Sequence, residues 1–128
     1  MKINTHTLID QALCGTPVHV DPGCSRVELR TTRNMIVDET GLVHGGFIFG
    51  LADYAAMIAV NHPNVVLGAS EVKFIKPVKA GEKVTAEATV ENSTGKKQLV
   101  TVTVSNNKNE TVFTGTFTCF VLDKHVLK

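Results

Sequence analysis

The dominant feature of the chain is one long apolar stretch. Residues 41–61 read GLVHGGFIFGLADYAAMIAVN, apolar on nearly every helical face and interrupted only by glycines, His44 and Asp53. A helix that is hydrophobic all round is a buried helix. Asn61-His62-Pro63-Asn64 closes it, because proline cannot continue the hydrogen-bond ladder. Beyond it the period changes from helical to alternating. Val84, Ala86, Ala88 and Val90 fall on one face of an extended segment, and Val100, Val102 and Val104 on one face of the next. Four strand-like segments stand out: VVLGASEVKFIKP, EKVTAEATVEN, KQLVTVTVSNN and ETVFTGTFTCFVLD. KAGE, NSTGK and NNKNE supply turns whose shortness favours antiparallel hairpins.

Ahead of the apolar stretch, INTHTLIDQALCG suggests a short helix with Asn4 or Thr5 as N-cap and Gly15 just past its end. TPVHVDPGCS reads as extended chain and turn, and Val27 to Val37 as containing a strand. The whole predicts an α+β fold, with one curved antiparallel sheet of about five strands wrapped round one long helix. Residues 1–128 form one domain in this reading, with residues 1–25 as an N-terminal helix and extended segment. A single sheet cannot enclose an all-apolar helix, so a second subunit is expected to cover the rest, as a homodimer or a dimer of dimers.

Composition narrows the classes. A net charge of +1, from 13 basic and 12 acidic residues, leaves no electrostatic footprint for nucleic acid. A hydrophobic share of 43% with 20% charged residues is that of a soluble globular protein. The N-terminus lacks the apolar core of a signal peptide, and the glycines and Asp53 argue against residues 41–61 as a membrane span. Cys14, Cys24 and Cys119 are odd in number and have no metal-like spacing, which points to reduced thiols in a cytoplasm and to no metal. Asp53 then becomes the anomaly. A carboxylate without a partner costs several kcal/mol to bury, and this one sits in the middle of the apolar helix.

The stretch GLVHGGFIFGLAD resembles the signature of hotdog-fold acyl-CoA thioesterases of the phenylacetyl-CoA thioesterase (PaaI) type. In that group His-Gly-Gly opens the central helix and an Asp follows nine residues after the His, as His44 and Asp53 do here. VKFIKPVKAGEKVTAEATV and VFTGTFTCFV are similar to the family's later strands, so the resemblance covers about residues 30–122. It implies a hotdog fold and hydrolysis of an acyl-CoA, with CoA as part of the substrate and no separate cofactor. It also implies catalytic roles for Asp53, His44 and Gly45. Elementary chemistry agrees. Unpaired N–H groups at a helix N-terminus can polarise a thioester carbonyl, Gly45 and Gly46 permit close approach, and Asp53 supplies a base or nucleophile. Nine helical residues separate His44 from Asp53 by about 13 Å and put them on opposite faces. The two therefore serve one site only across a dimer interface, as in the family's shared sites. Gly46, Phe47, Ser70, Lys73 and Lys76 are the residues expected to contact substrate, the lysines near the CoA phosphates.

One departure stands out. The family pattern has an Asn six residues before the His, where this chain has Asp38. Ionised, Asp38 accepts hydrogen bonds but cannot donate them. Asp38 and Gly41 also resemble the Asp-x-x-Gly of the 4-hydroxybenzoyl-CoA thioesterase branch, where that Asp is catalytic. Two carboxylates in one site would raise one pKa, so Asp38 joins the catalytic candidates. Two other functions remain open. The C-terminal half resembles the effector-binding hotdog domain of the malonyl-CoA-responsive fatty-acid repressor (FapR), a non-catalytic acyl-CoA sensor. About 25 residues before the first strand are, however, too few for a DNA-binding domain. An acyl-carrier dehydratase on the same fold is the third. Structural readings stand beside all of these. Asp53 would be a paired carboxylate, His44 a helix-start residue, the glycines packing devices, and Phe47, Phe49, Tyr54 and Met57 core or pocket wall.

Overall fold

The computed structural model describes residues 1–128. Its strands are β1 (Thr16–Asp21), β2 (Cys24–Arg30), β3 (Val65–Phe74), β4 (Lys83–Thr94), β5 (Lys97–Asn106) and β6 (Thr111–Val121). Its α-helices are α1 (Gln11–Cys14) and α2 (Gly45–Val60). The strands form one six-stranded sheet in the order β1-β2-β4-β5-β6-β3, and every neighbouring pair is antiparallel. The sheet wraps round α2, so the α+β hotdog architecture holds.

The alternating positions do what their pattern predicts. Val84, Ala86 and Ala88 of β4 and Val100, Val102 and Val104 of β5 are all buried, as are Phe113 and Phe117 of β6. They meet Leu51, Ala52, Ala55, Ala56 and Ala59 of α2 in one core cluster. The alanines keep the helix close to the sheet, and Ser25 locks the approach by donating its hydroxyl to the Ala55 carbonyl (2.7 Å). At its C-terminus α2 ends on Asn61 in the left-handed conformation (φ 55°, ψ 44°), whose N–H returns to the Met57 carbonyl.

The N-terminal expectations need correction. α1 is a single turn capped by Asp10, whose carboxylate accepts from the Ala12 N–H (2.9 Å). Asn4 caps nothing: its N–H donates to Asn61 Oδ1, and Asn61 Nδ2 donates to the Lys2 carbonyl. The segment is thus tied along α2 by tertiary contacts, with the His6 and Tyr54 rings 6.3 Å apart. The first strand starts at Thr16, because Pro22-Gly23 (Gly23 φ 79°) reverses the chain and pairs β1 with β2. Val27 to Val37 does contain strand, the last four residues of β2, and a 3-10 turn follows at Arg33–Met35. The sheet therefore has six strands where about five were expected.

KAGE closes no hairpin either. β3 crosses to the far edge and pairs with β6, while β4 pairs with β2 and β5. The reason lies in the connecting segment, whose backbone is spent on the chain ahead of α2. Val43 N–H donates to the Val78 carbonyl (2.9 Å), and Ala80 N–H to the Gly41 carbonyl (2.8 Å).

Gly15 is the tightest joint between the N-terminal segment and the core. Its φ is +105°, and a Cβ there would stand 2.8 Å from Val27 Cγ1, 2.9 Å from the Glu28 carbonyl oxygen and 2.9 Å from Leu51 Cδ1. Gly15→Ala combines backbone strain with overpacking and is expected to cost about 3 kcal/mol. The shift in urea midpoint checks it, and an unchanged midpoint would refute the packing account.

Candidate functional site

The entrance to α2 is built by three residues in sequence. His44 is the N-cap: its Nδ1 accepts from the Gly46 N–H (2.7 Å). That bond leaves the imidazole proton on Nε2, so neutral His44, which is exposed, presents an N–H donor outward. Gly46 must be bare because the His44 ring lies across it, at 2.8 Å from any Cβ. Gly45 lies under the Phe74 ring, which a Cβ would meet at a tight 3.1 Å. Phe47 sets its ring edge-on to His44, with centroids 6.2 Å apart. The Gly46 N–H is thus committed to the cap. The Gly45 N–H has no acceptor in the chain and lies at the positive end of the helix dipole.

Asp53 lies two and a half turns further on. Most of α2 is buried, but Gly46, Phe47, Phe49, Gly50 and Asp53 stay at least partly exposed. Gly50 has open space where a side chain would stand, with nothing within 4 Å. A helix-interior glycine costs about 1 kcal/mol relative to alanine, so the bare strip is maintained at a cost. On this strip the Asp53 Oδ1 is buried and has no hydrogen-bond partner. Burial pushes its carboxyl from the ordinary 3.8 up to about 6. Desolvation is the cause, and Asp38 contributes nothing. Burial, together with the Asp53 charge, pushes the Cys119 thiol up to about 12, so that thiol stays protonated and inert.

The other expected site residues scatter. The Asp38 carboxylate is exposed and occupied locally, accepting from the Thr40 N–H (2.9 Å) and the Thr40 hydroxyl (2.6 Å). Within one chain the structure does not pair it with Asp53. On β3 the register divides the remainder. Ser70, opposite Phe117, is on the helix side of the sheet, while Lys73, opposite Thr114, is on the outer side. Lys76 is held by Glu110 at 2.6 Å. It stands at the lip of an apolar cleft of about 290 Å³ between Gly45 and Ile48 of α2 and Phe74, Ile75, Val78 and Val112. Sequence reasoning missed this cleft. Its one legible signal was the run Phe74-Ile75, whose side chains are half exposed or more.

A sheet wrapped round one helix, with glycines at the helix entrance and a lone carboxylate inside it, defines a hotdog protein. The chain belongs to the thioesterase superfamily, whose pattern matches residues 40–113. An uncharacterized protein of Pyrococcus horikoshii has the same structure with a TM-score of 0.98 and 52% identity, covering 100% of this chain and 98% of that one. The Escherichia coli PaaI protein from the phenylacetic acid degradation operon superposes with a TM-score of 0.82 at 26% identity, over 90% of this chain and 84% of its own. A Streptococcus mutans protein bound to acetyl CoA gives 0.79 at 25% identity, over 87% and 90%. Among curated relatives, a methylthioribose-1-phosphate isomerase of Aquifex aeolicus is 50% identical over 96% of this chain, which spans only 27% of that protein. The transcription factor FapR of Caldanaerobacter subterraneus is 27% identical over 95% of this chain and 61% of its own length. The chain thus spans between about a quarter and three-fifths of these relatives. No helix in it is long and apolar enough to cross a membrane.

The raised Asp53 pKa has a consequence for stability. The folded chain holds this proton more tightly than the unfolded chain does. Its stabilising contribution is therefore complete below the unfolded value of 3.8, falls as pH rises through about 6, and is gone above it. Asp53→Asn, neutral at every pH, should match the parent near pH 4. At pH 8 it should be more stable, by on the order of 2 kcal/mol. Urea unfolding at the two pH values checks this. A variant less stable at pH 8 would mean that Asp53 is a structural partner after all.

Proposed function

We propose that the chain is an acyl-CoA thioesterase with a site shared between two subunits. Asp53 of one subunit supplies the base or nucleophile, and His44 and Gly45 of the other polarise the thioester carbonyl. The observation that carries this reading is the unpartnered Asp53 carboxylate on the bare strip of α2. A structural carboxylate would hold a bond through that oxygen. The acetyl CoA bound to the Streptococcus mutans relative supports a CoA ester as ligand. The apolar cleft beside Gly45 suits an acyl or pantetheine chain, with Lys76 at its lip to meet a phosphate.

As a base, ionised Asp53 removes a proton from water while the water oxygen bonds to the thioester carbon. The carbonyl electrons move onto oxygen, where the His44 Nε2–H and the Gly45 N–H receive the charge. Collapse of that intermediate breaks the C–S bond. The CoA thiolate then takes up the proton, and acid and free thiol leave. With a pKa near 6 the carboxylate is ionised at neutral pH yet close enough to it to be an effective base. The reaction calls on no cofactor, and the chain's three free cysteines suit a cytoplasmic setting.

Geometry supports the second subunit. His44 and Asp53 stand about 13 Å apart along one helix. β3 ends the sheet with ten residues whose outer edge is unpaired, and edges of that length are normally paired or covered. A second copy adding its own β3 edge to edge would close the gap. The match to FapR favours one other reading, an acyl-CoA-binding protein without turnover.

Free-thiol release from a panel of acyl-CoAs separates the two readings. Turnover that Asp53→Asn lowers by roughly 10²–10⁴ in kcat, with binding retained, is the expected result. Tight binding without thiol release would favour the sensor. The kcat/KM of the parent should rise with pH through about 6 and level off above it. Sedimentation should show a dimer or a dimer of dimers. Mixing inactive His44→Ala and Asp53→Ala subunits should restore activity. A stable monomer, or no rescue after subunit exchange, would refute the shared site.

A further inference from the structure

The spacing of the cysteines carries no metal signature, yet the β1–β2 hairpin places Cys24 beside two donors of other kinds. The Pro22-Gly23 turn sets Asp21 directly opposite Cys24. Two-residue alternation then puts His19 on the same face of the hairpin. That face is the outer one, because the intervening residues point inward. Val20 packs on the core, and Ser25 donates to the Ala55 carbonyl. One nitrogen of His19, one carboxylate oxygen of Asp21 and the Cys24 sulfur all lie within 4.8 Å of one another. His19 Nε2 and Asp21 Oδ2 are already 2.8 Å apart.

We propose that His19, Asp21 and Cys24 form a three-ligand site for a zinc ion, with water in the fourth position. Tetrahedral zinc with bonds of about 2.0–2.3 Å spaces its ligands roughly 3.3–3.7 Å apart. To reach that spacing the His19–Asp21 pair, now 2.8 Å apart, would open slightly and Cys24 would close on it from within 4.8 Å. The mixed set selects the ion. Magnesium and calcium take all-oxygen shells, whereas thiolate with imidazole and carboxylate suits zinc. The side chains of His19 and Asp21 are about half exposed (49% and 57%), so an ion can enter and a water can complete the shell. Arg26 stands opposite His19 on this face, and its Nε lies 3.8 Å from Glu87 on the next strand. The guanidinium thus has a carboxylate partner of its own. Binding replaces the Cys24 S–H bond with an S–Zn bond and releases the proton to solvent, so affinity rises with pH.

The site lies across the sheet from α2 and is independent of the Asp53 chemistry. Its effect would be to clamp the β1–β2 hairpin, the sheet edge opposite β3. Its three ligands span only residues 19–24, so the sequence held a signal after all: His-x-Asp-Pro-Gly-Cys, legible only once the turn is known.

Cobalt is the direct probe. The chelator-treated chain titrated with Co²⁺ should develop a thiolate-to-metal charge-transfer band that saturates at one ion per chain, and Zn²⁺ should abolish it. Cys24→Ser should remove the band, and Cys14→Ser should leave it. His19→Ala and Asp21→Asn should weaken Zn²⁺ binding at least about tenfold. Zn²⁺ should also raise the Tm of the parent and of Cys14→Ser, but not that of Cys24→Ser. Circular dichroism of each variant verifies that these outer-face changes leave the fold intact. No charge-transfer band in the parent at saturating Co²⁺, or a band that survives Cys24→Ser, overturns the proposal.

Discussion

The rest of the structure depends on covering one helix. α2 is apolar on all sides, and nine of its sixteen residues are buried. At about 25 cal/mol per Å² this burial is the largest stabilising term available to a chain of this size. The inner faces of β2, β4, β5 and β6, the N-terminal segment and the Ser25 hydroxyl are all arranged against it. Even the crossing of β3 to the far edge follows from it, because the segment ahead of β4 is bonded to the chain that leads into the helix.

Against this background the uncovered strip is informative. Gly46 and Gly50 weaken the helix, and Asp53 resists burial, so three positions on one element work against stability. Natural chains hold such local conflicts at sites of function. The conflict also explains the chemistry. The desolvation that makes Asp53 unfavourable is what raises its pKa to about 6 and so makes it a usable base. The His-Gly-Gly entrance is more economical than the sequence alone implied. One imidazole nitrogen caps the helix, the other is freed as a donor, and the same ring fills the space a side chain at Gly46 would need.

Periodicity made the long helix, the inward faces of β4 and β5, and the Asn61 stop legible, because each is a local consequence of side-chain spacing and backbone chemistry. The His44–Asp53 motif made the superfamily legible as well. The N-terminal segment was not legible in this way: Asn4 and Thr5 have the right chemistry for a cap, but Asn4 bonds to Asn61, 57 positions away. Nor was β1, because its exposed face and the Pro22-Gly23 turn look like loop until β2 lies beside them.

What the sequence determined by itself was which residues had to be buried, where the helix began and ended, and that a carboxylate stood inside it. Those features follow from spacing within about twenty residues. Strand order, which of Ser70 and Lys73 faces the helix, the cleft beside Gly45 and the meeting of His19 with Asp21 and Cys24 were decided only by the tertiary structure. They depend on register and on which edges meet. A one-residue slip in register reverses every side chain in a strand, and no local pattern encodes which distant segment supplies the partner.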